Sequence, residues 1–332
     1  MFRFDQSWVT RCVSNMNIPG TVLILFVCIS FAVCYSPFNK QSFGPKPSGQ
    51  VPFSNQWTSA SNANRTLSGG IGTNAFEVMF QWNIMEFAYP TQQLRAQAVA
   101  SGQYIPENAA PLGLAVSPDR VFVTTPRWNL GIPASLSSID LPAFTQSPAL
   151  EPYPNWAAHT STTNPDCTRL LSVYRLTIDE CGRLFVIDSG IINALTSLQQ
   201  LCPPKIVAFD LATDQQVLIY QFPPDQVLQG SLHTNLVVDI RNGECNRGFV
   251  YITDVWRNGV VVYDMEQATS WRATNHFFNS NPFDSDYTYQ DINFQWTDGV
   301  FGASLSPLNK PAGDRVFYFH PMSSSNVRTG CT

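Results

Sequence analysis

The sequence is poor in charged residues. Asp, Glu, Lys and Arg make up only 13% of its 332 residues, against about 25% in an average soluble domain. Because these side chains cover exposed helices, their scarcity argues against a mostly helical protein, a coiled coil and a disordered chain. The net charge is −5, so the chain offers no basic surface for nucleic acid, and we expect no nucleic-acid partner.

Several catalytic and metal-binding motifs are also missing. The sequence has no Gly-x4-Gly-Lys-Ser/Thr phosphate loop and no His-Glu-x-x-His zinc motif. The segment Gly302-Ala-Ser-Leu-Ser306 lacks the final glycine of a nucleophile elbow. The four histidines are too far apart to share a helical turn. The sequence therefore predicts neither a metal site nor a cofactor.

The first residues carry a targeting signal. An uninterrupted apolar run extends from Val22 to Val33; as a helix it would span roughly 18 Å, short of a hydrocarbon core of about 30 Å. The small residues Ala32 and Cys34 suit a cleavage at this point. We expect residues 1–34 to be a cleaved signal peptide, which makes the protein secreted and extracellular, with no membrane attachment after cleavage. An uncleaved signal anchor is the alternative.

Residues 35–75 differ in composition from the rest. They are rich in Ser, Asn, Gly and Pro, which predicts a flexible arm. The arm contains Asn64-Arg-Thr66, the only N-glycosylation sequon of the sequence, and we expect Asn64 to be glycosylated.

Cleavage of the signal leaves five cysteines, an odd number. In an oxidising compartment we expect two disulfides and one unpaired cysteine, with Cys331 left over near the end of the chain. The spacing of the other four leaves three pairings open. These four are Cys167, Cys181, Cys202 and Cys245.

A repeat of about 64 residues runs through the rest of the chain. An Arg-x-Phe pattern begins at Arg120, Arg183, Arg247 and Arg315, at spacings of 63, 64 and 68, and each copy follows a short apolar strand and a polar turn. A four-stranded unit repeated at this period predicts an all-β protein, a β-propeller in which each sheet is one blade. A β-sandwich and chance recurrence are the alternatives. We expect the arginines to form turn or inter-blade hydrogen bonds rather than to contact a ligand.

The last repeat is short. Fifteen residues follow Phe317, and most are polar and turn-forming. We therefore expect the last blade to be incomplete and the propeller to be open or strained.

Polar and aromatic residues follow the Arg-x-Phe strands. Equivalent positions in successive blades lie around one end of a propeller, where pockets form. Carboxylates beside indole rings suit a cationic aromatic amine. Alternatively, the aspartates cap turns and the tryptophans pack between blades. The candidate ligand-binding residues are Arg127, Trp128, Asp188, Asp254, Trp256 and His320.

A series of segments, in order, carries a family resemblance. They include Pro126-Arg-Trp-Asn-Leu-Gly-Ile-Pro-Ala134, Cys181-Gly-Arg-Leu-Phe-Val-Ile-Asp-Ser-Gly190, Asp298-Gly-Val-Phe-Gly302 and Tyr318-Phe-His-Pro-Met-Ser-Ser324. Together they resemble the yellow and major royal jelly protein family of arthropods. The resemblance implies a six-bladed β-propeller over residues 76–325, and a divergent tail at 326–332 that makes the chain look C-terminally truncated. It also implies the disulfides Cys167–Cys181 and Cys202–Cys245.

The resemblance further implies a function. The first expectation is a secreted, non-enzymatic protein that binds small aromatic amines or catechol-derived pigment precursors and is linked to cuticle pigmentation and melanisation. A dopachrome-converting isomerase is the alternative, and it would need a positioned base. A calcium-dependent lactonase-type propeller enzyme is the second alternative.

Overall fold

The computed structural model describes residues 78–331 except 195, 242, 290 and 309–313, and only the backbone of Cys331. The chain divides into two units, residues 1–79 and 80–332, and the helix and strands of the described residues belong to the second. The expected signal peptide, arm and Asn64 sequon lie outside the described residues.

One α-helix occurs among the described residues. Helix α1 spans Gln92–Ala100, with the Thr91 side chain accepting a hydrogen bond from the Leu94 N–H at its start. Within the described part of the chain, no helix is long and apolar enough to cross a membrane. The remaining elements are strands and short 3-10 turns, which confirms the expectation of a β protein.

Four antiparallel sheets follow one another along the chain. Sheet 1 has the order β1-β2-β3-β4, with strands Leu114–Val116, Arg120–Thr124, Leu136–Asp140 and Glu151–Pro152. Sheet 2 has the order β5-β6-β9-β10, with strands Val173–Ile178, Arg183–Asp188, Lys205–Asp210 and Gln216–Gln221. Sheet 3 has the order β11-β12-β13-β14, with strands His233–Arg241, Glu244–Asp254, Gly259–Asp264 and Thr269–Thr274. Sheet 4 has the order β17-β18-β19, with strands Val300–Leu305, Val316–Pro321 and Arg328–Cys331.

Two hairpins lie between these strands. The first pairs β7 (Ile191–Ile192) with β8 (Gln199–Gln200) inside the β6–β9 connection of sheet 2. The second pairs β15 (Asp286–Tyr289) with β16 (Ile292–Gln295) between sheets 3 and 4.

The sequence repeat corresponds to the sheets. Each Arg-x-Phe copy lies on, or at the start of, the second strand of its sheet, namely β2, β6, β12 and β18. The apolar strand before each copy is the first strand, which pairs antiparallel with it. The expected strand order within the repeat is confirmed.

The core lies between successive sheets rather than inside each one. Phe122 of sheet 1 packs in one cluster with Val186 and Val207 of sheet 2. A second cluster joins sheets 2 and 3, and a third joins sheets 3 and 4. The other face of sheet 1 is covered by the segment that contains α1. Because the strands are buried on both faces, few charged residues are needed, which accounts for their scarcity.

Two of the four repeated arginines, Arg120 and Arg315, connect neighbouring sheets, whereas Arg183 pairs with Asp179 in the turn of its own sheet and Arg247 with Glu244 and Glu266 of its own sheet. Arg120 Nη1 of sheet 1 donates to Asp214 Oδ1 of sheet 2 at 2.8 Å. Arg315, before β18, pairs through Nε with Asp239 Oδ1 of β11 at 3.0 Å. These contacts support the expectation that the arginines form turn or inter-sheet hydrogen bonds.

The disulfides join the expected four cysteines, but the implied pairing is wrong. The bonds are Cys167–Cys202 and Cys181–Cys245. The implied pairs, Cys167–Cys181 and Cys202–Cys245, do not form because Cys181 and Cys245 each lie two residues before the repeated arginine of consecutive sheets. Residues one repeat apart face each other across adjacent sheets. The separation of 64 residues equals the repeat and is the sequence signal for this pairing.

Candidate functional site

The six candidate residues lie at or near the C-terminal ends of the second strands. Because the first and second strands of each sheet are antiparallel, the first strands begin at this same end. Asp188 and Asp254 are the last residues of β6 and β12. Arg127 follows β2, and its backbone N–H donates to Ser172 Oγ, just before β5. His320 lies on β18, where the next residue, Pro321, pairs with Val300 at the start of β17.

Arg127 is held by its own loop. It is buried, and its guanidinium donates to the carbonyl oxygens of Ile132 at 3.0 Å and Pro133 at 3.1 Å. Burial lowers the pKa of Arg127 to about 10, and the charge of Asp188 opposes this change. The side chain fixes the 127–133 loop.

Asp188 is saturated by internal donors. Its carboxylate accepts the backbone N–H groups of Leu171, Ser172 and Gly190. It also pairs with Lys205 Nζ at 2.8 Å. Burial alone would raise the pKa of Asp188, but the Lys205 charge and these hydrogen bonds hold it below its usual value. The geometry assigns this carboxylate a structural role.

Asp254 is held in the same way. It accepts the Leu232 backbone N–H at 3.0 Å and pairs with Arg272 Nη1 at 2.8 Å. His233 Nε2 lies 4.0 Å away. Burial lowers the pKa of His233 to about 4, so the ring is neutral near pH 7. Asp254 therefore also fixes the turn before the first strand of its sheet.

The two candidate tryptophans are brought to one apolar cluster. Trp128 and Trp256 both pack, half-buried, against the cluster between sheets 2 and 3. The Trp128 ring meets the Tyr174 ring edge-on, with 6.2 Å between centroids. His320 is half-buried, and burial lowers its pKa. His320 pairs with Gly302 in sheet 4.

Asp298 is a functional candidate that the sequence reasoning did not select. It precedes β17 and is half-buried. Burial raises the pKa of its carboxyl, and the neighbouring side chains of Trp296 and Trp256 oppose this rise. Asp188 and Asp254 are fully buried, whereas Asp298 keeps partial access to solvent. The sequence signal was its place in the Asp298-Gly-Val-Phe-Gly302 segment, directly before a first strand.

The backbone around Asp298 is held on both sides. The Ser323 N–H donates to the Asp298 carbonyl at 3.1 Å, and the Met322 N–H donates to the Gly299 carbonyl at 2.8 Å. On the other side, the Gly299 N–H donates to the Val255 carbonyl at 2.9 Å. The loop is therefore fixed to the ends of both β12 and β18.

Gly299 permits this close approach. A Cβ at this position would lie 1.9 Å from Asn258 Oδ1 and 2.7 Å from the Phe278 carbonyl oxygen. Only a residue without a side chain fits between these groups.

The arrangement can exchange a proton. A half-buried carboxyl with a raised pKa accepts a proton more readily than an ordinary carboxylate. Two indole rings beside it provide flat apolar surfaces that also carry hydrogen-bond donors. Within the part of the chain that the structure describes, no three His, Cys, Asp or Glu side chains are grouped to hold a metal ion.

A cavity of about 400 Å³ lies at the other end of sheets 2 and 3. It is lined by residues at the start of β6 and β12, including Arg183, Cys181 and Cys245. Since Asp188 and Asp254 end these strands, the cavity is separate from all six candidate residues and from Asp298.

Comparisons with known proteins agree on one family. The family model described as major royal jelly protein matches residues 171–328. Dopaminechrome tautomerase of Drosophila melanogaster is 47% identical over 248 residues, which are 75% of this chain and 53% of that protein. Protein yellow of Drosophila yakuba is 39% identical over 249 residues, which are 74% of this chain and 45% of that protein.

The chain spans about half the length of the curated relatives it matches. Among solved structures, the extracellular domain of a candidate one-component system of B. thetaiotaomicron aligns with a TM-score of 0.34 and 10% identity. The alignment covers 69% of this chain and 24% of the bacterial chain. Its TM-score is too low to indicate a shared fold. The sequence relatives decide the matter: this chain belongs to the yellow and major royal jelly protein family.

Proposed function

We propose that this chain is a tautomerase for flat, catechol-derived aminochromes, with Asp298 as its acid–base group. The relative named dopaminechrome tautomerase supports this proposal at 47% identity over 75% of the chain. The alternative stated from the sequence, an isomerase, is therefore better supported than a purely binding protein.

The observation that carries the proposal is the environment of the Asp298 carboxyl. It is half-buried, burial raises its pKa, and the side chains of Trp296 and Trp256, which oppose this rise, lie near it. Asp188 and Asp254 are unsuited to this role because lysine and arginine occupy their carboxylates at 2.8 Å.

The proposed reaction moves a proton without net oxidation. The Asp298 carboxylate removes a proton from a ring carbon, so that a C–H bond breaks and a carboxyl O–H bond forms. The electron pair passes through the conjugated ring to a carbonyl oxygen. Delivery of the proton to that oxygen restores the carboxylate. A carboxyl with a raised pKa suits both steps because it holds the proton between them.

We also propose that the four sheets are consecutive blades of a β-propeller. The support is that the first strands lie side by side in the order β1, β5, β11 and β17, with apolar clusters between neighbouring sheets.

We further propose an extracellular location for the protein, because the described residues contain two disulfides.

Conversion of dopaminechrome by the purified 332-residue chain tests the function. We expect loss of the aminochrome absorbance with turnover, and a loss of activity of roughly 10² to 10⁴-fold in Asp298→Asn. Asp225→Asn, at an exposed position, is the matched control and should retain full activity.

Titration of tryptophan fluorescence with dopamine, on the same samples, examines the other reading. Saturable quenching without any turnover would reject the tautomerase and favour a protein that only binds aromatic amines.

A further inference from the structure

Two neighbouring sheet interfaces are built from equivalent arginines. Arg120 begins β2 and Arg183 begins β6. Each guanidinium lies over the phenylalanine two residues later, 5.3 Å from the ring centroid of Phe122 and 5.1 Å from that of Phe185. Phe122 belongs to the cluster between sheets 1 and 2, and Phe185 to the cluster between sheets 2 and 3. The two interfaces can therefore be compared position by position.

Between sheets 1 and 2, a carboxylate of the protein meets the arginine. Arg120 Nη1 donates to both carboxylate oxygens of Asp214, at 2.8 and 2.9 Å. The Tyr153 hydroxyl donates to Asp214 Oδ1 at 2.7 Å. Asp214 lies in the turn between β9 and β10 and has a φ of 57°. Arg120 thus receives its counter-charge from the next sheet.

Between sheets 2 and 3, this carboxylate is missing. The turn after β9 runs from Asp210 to Asp214, and the turn after β13 runs from Asp264 to Ala268. In both turns the first aspartate accepts two backbone N–H groups through Oδ1. The last residues match as well, because the φ of Ala268 is 52° and that of Asp214 is 57°. Alanine therefore stands where the carboxylate would be, and it offers Arg183 no acceptor.

Arg183 borders a cavity instead. Its Nε and Nη2 pair with Asp179 Oδ2 in its own turn, at 2.8 and 2.7 Å. Towards sheet 3, Nη2 reaches Met265 Sδ at 3.9 Å. Within the described residues, Nη1 of Arg183 has no hydrogen-bond partner, whereas Nη1 of Arg120 carries the pair with Asp214. The guanidinium is held in place and keeps an edge for a further acceptor.

The cavity combines this charge with an apolar wall. Its volume of about 400 Å³ falls within the range of roughly 300–1,000 Å³ that is typical of small-molecule sites. Arg183 lines it together with apolar side chains from both sheets. These apolar side chains are Phe185, Val217, Leu218, Tyr263 and Met265.

A carboxylate of the protein also lines the cavity, but its equivalent does not prevent pairing in sheet 1. Asp210 faces Arg183 across β6 and β9, as Asp140 faces Arg120 across β2 and β3. Asp119 also lies 3.7 Å from Arg120 Nε, and Arg120 still binds Asp214. An arginine in this position therefore accommodates a further carboxylate.

We propose that this cavity binds a small organic carboxylate, which pairs with Arg183 as Asp214 pairs with Arg120. The apolar part of the ligand packs against Val217, Leu218 and Tyr263. Because arginine and a carboxylate form charge-assisted, bidentate hydrogen bonds, the site favours an acid over a neutral or cationic compound of the same shape. The site does not depend on the proposed function, since it lies at the opposite end of the sheets from Asp298.

Calorimetric titration of the purified 332-residue chain with phenylacetate tests the site. We expect saturable binding with a Kd below about 1 mM. Phenylacetamide, a neutral analogue, and phenethylamine, a cationic one, should bind at least about tenfold more weakly. Equal or tighter binding of either analogue would overturn the inference, and so would the absence of saturable phenylacetate binding up to about 10 mM.

Ala268→Asp supplies the missing carboxylate from the protein itself. Aspartate tolerates this backbone conformation, as Asp214 shows. We expect the new side chain to occupy Arg183 and to weaken phenylacetate binding at least about tenfold. Ala268→Asn, which adds the same volume without the charge, is the matched control and should keep the affinity within about twofold. An unchanged affinity in Ala268→Asp would overturn the inference.

Arg183→Met removes the charge directly and should also weaken binding at least about tenfold. Because this substitution leaves the buried Asp179 unpaired, its folding is checked by thermal unfolding, and the two Ala268 variants decide the question if it does not fold. Dopaminechrome conversion is measured on the same samples. Phenylacetate binding in a chain without turnover would reject the tautomerase and support this site, whereas turnover without phenylacetate binding would do the reverse.

Discussion

Asp188 Oδ2 and Lys205 Nζ lie 2.8 Å apart, and neither side chain has any exposure to solvent. This pair links the ends of two neighbouring strands of sheet 2, β6 and β9, at Asp188↔Lys205. The same carboxylate holds the backbone just before β5, so the pair fixes one end of the whole sheet.

Removal of the lysine charge should be strongly destabilising. Lys205→Met leaves Asp188 buried without its counter-charge, and we expect the free energy of unfolding to fall by about 3–5 kcal/mol. Denaturant unfolding followed by fluorescence measures this. Arg247→Met, which breaks only exposed pairs, should change stability little. Equal losses in the two variants would show that the buried pair has no special importance.

The disulfide pairing has a direct test. Peptide mapping without reduction should find a linked pair that contains Cys181 and Cys245, and another that contains Cys167 and Cys202. A linked Cys167–Cys181 peptide would contradict the structure. Replacement of Cys181 and Cys245 by serine should lower stability by roughly 2–4 kcal/mol, because the bond closes a long loop.

His233 should make stability fall in acid. Burial lowers its pKa in the folded protein from 6.5 to about 4, so the unfolded chain binds a proton more readily between these values. The contribution of neutral His233 to the free energy of unfolding is complete above pH 6.5 and is lost as the pH falls towards 4. Its size is on the order of 3 kcal/mol. Unfolding at a series of pH values should show a flatter profile in His233→Gln than in His276→Gln, at an exposed histidine.

Gly299 should tolerate no side chain. A Cβ there would lie 2.7 Å from the Phe278 carbonyl oxygen, which belongs to the backbone, so Gly299→Ala must displace the loop that carries Asp298. We expect a lower melting temperature and a large loss of the proposed tautomerase activity. Gly330→Ala is the control, because nothing lies within 4 Å of its Cβ position. A Gly299→Ala variant with normal stability and activity would refute this account of the loop.

The repeat was predictable from the sequence because it is local. Alternating apolar residues, a turn and an Arg-x-Phe strand recur at near-constant spacing, so each sheet could be located before its partners were known. Helix α1 was missed, although Thr91 and the segment Gln92–Ala100 carry an N-cap and good helix formers.

Most of the site depends on contacts between distant residues. Asp188 and Asp254 end second strands and Asp298 precedes a first strand, but nothing in the sequence shows that Lys205 and Arg272 are the buried partners of the first two carboxylates. The surroundings of Asp298 include Trp256, from another sheet. The disulfide pairs likewise depend on which sheets are neighbours. The spacing between the cysteines indicates the pairs only once the repeat has been recognised.

The pH dependence of kcat/KM for dopaminechrome conversion measures the role proposed for Asp298. Activity of the unmodified chain should fall as the pH decreases through the raised pKa of Asp298, and Asp298→Asn should lose both this pH dependence and roughly 10² to 10⁴-fold of the rate. Full activity with the same acid limb in a folded Asp298→Asn variant would contradict it.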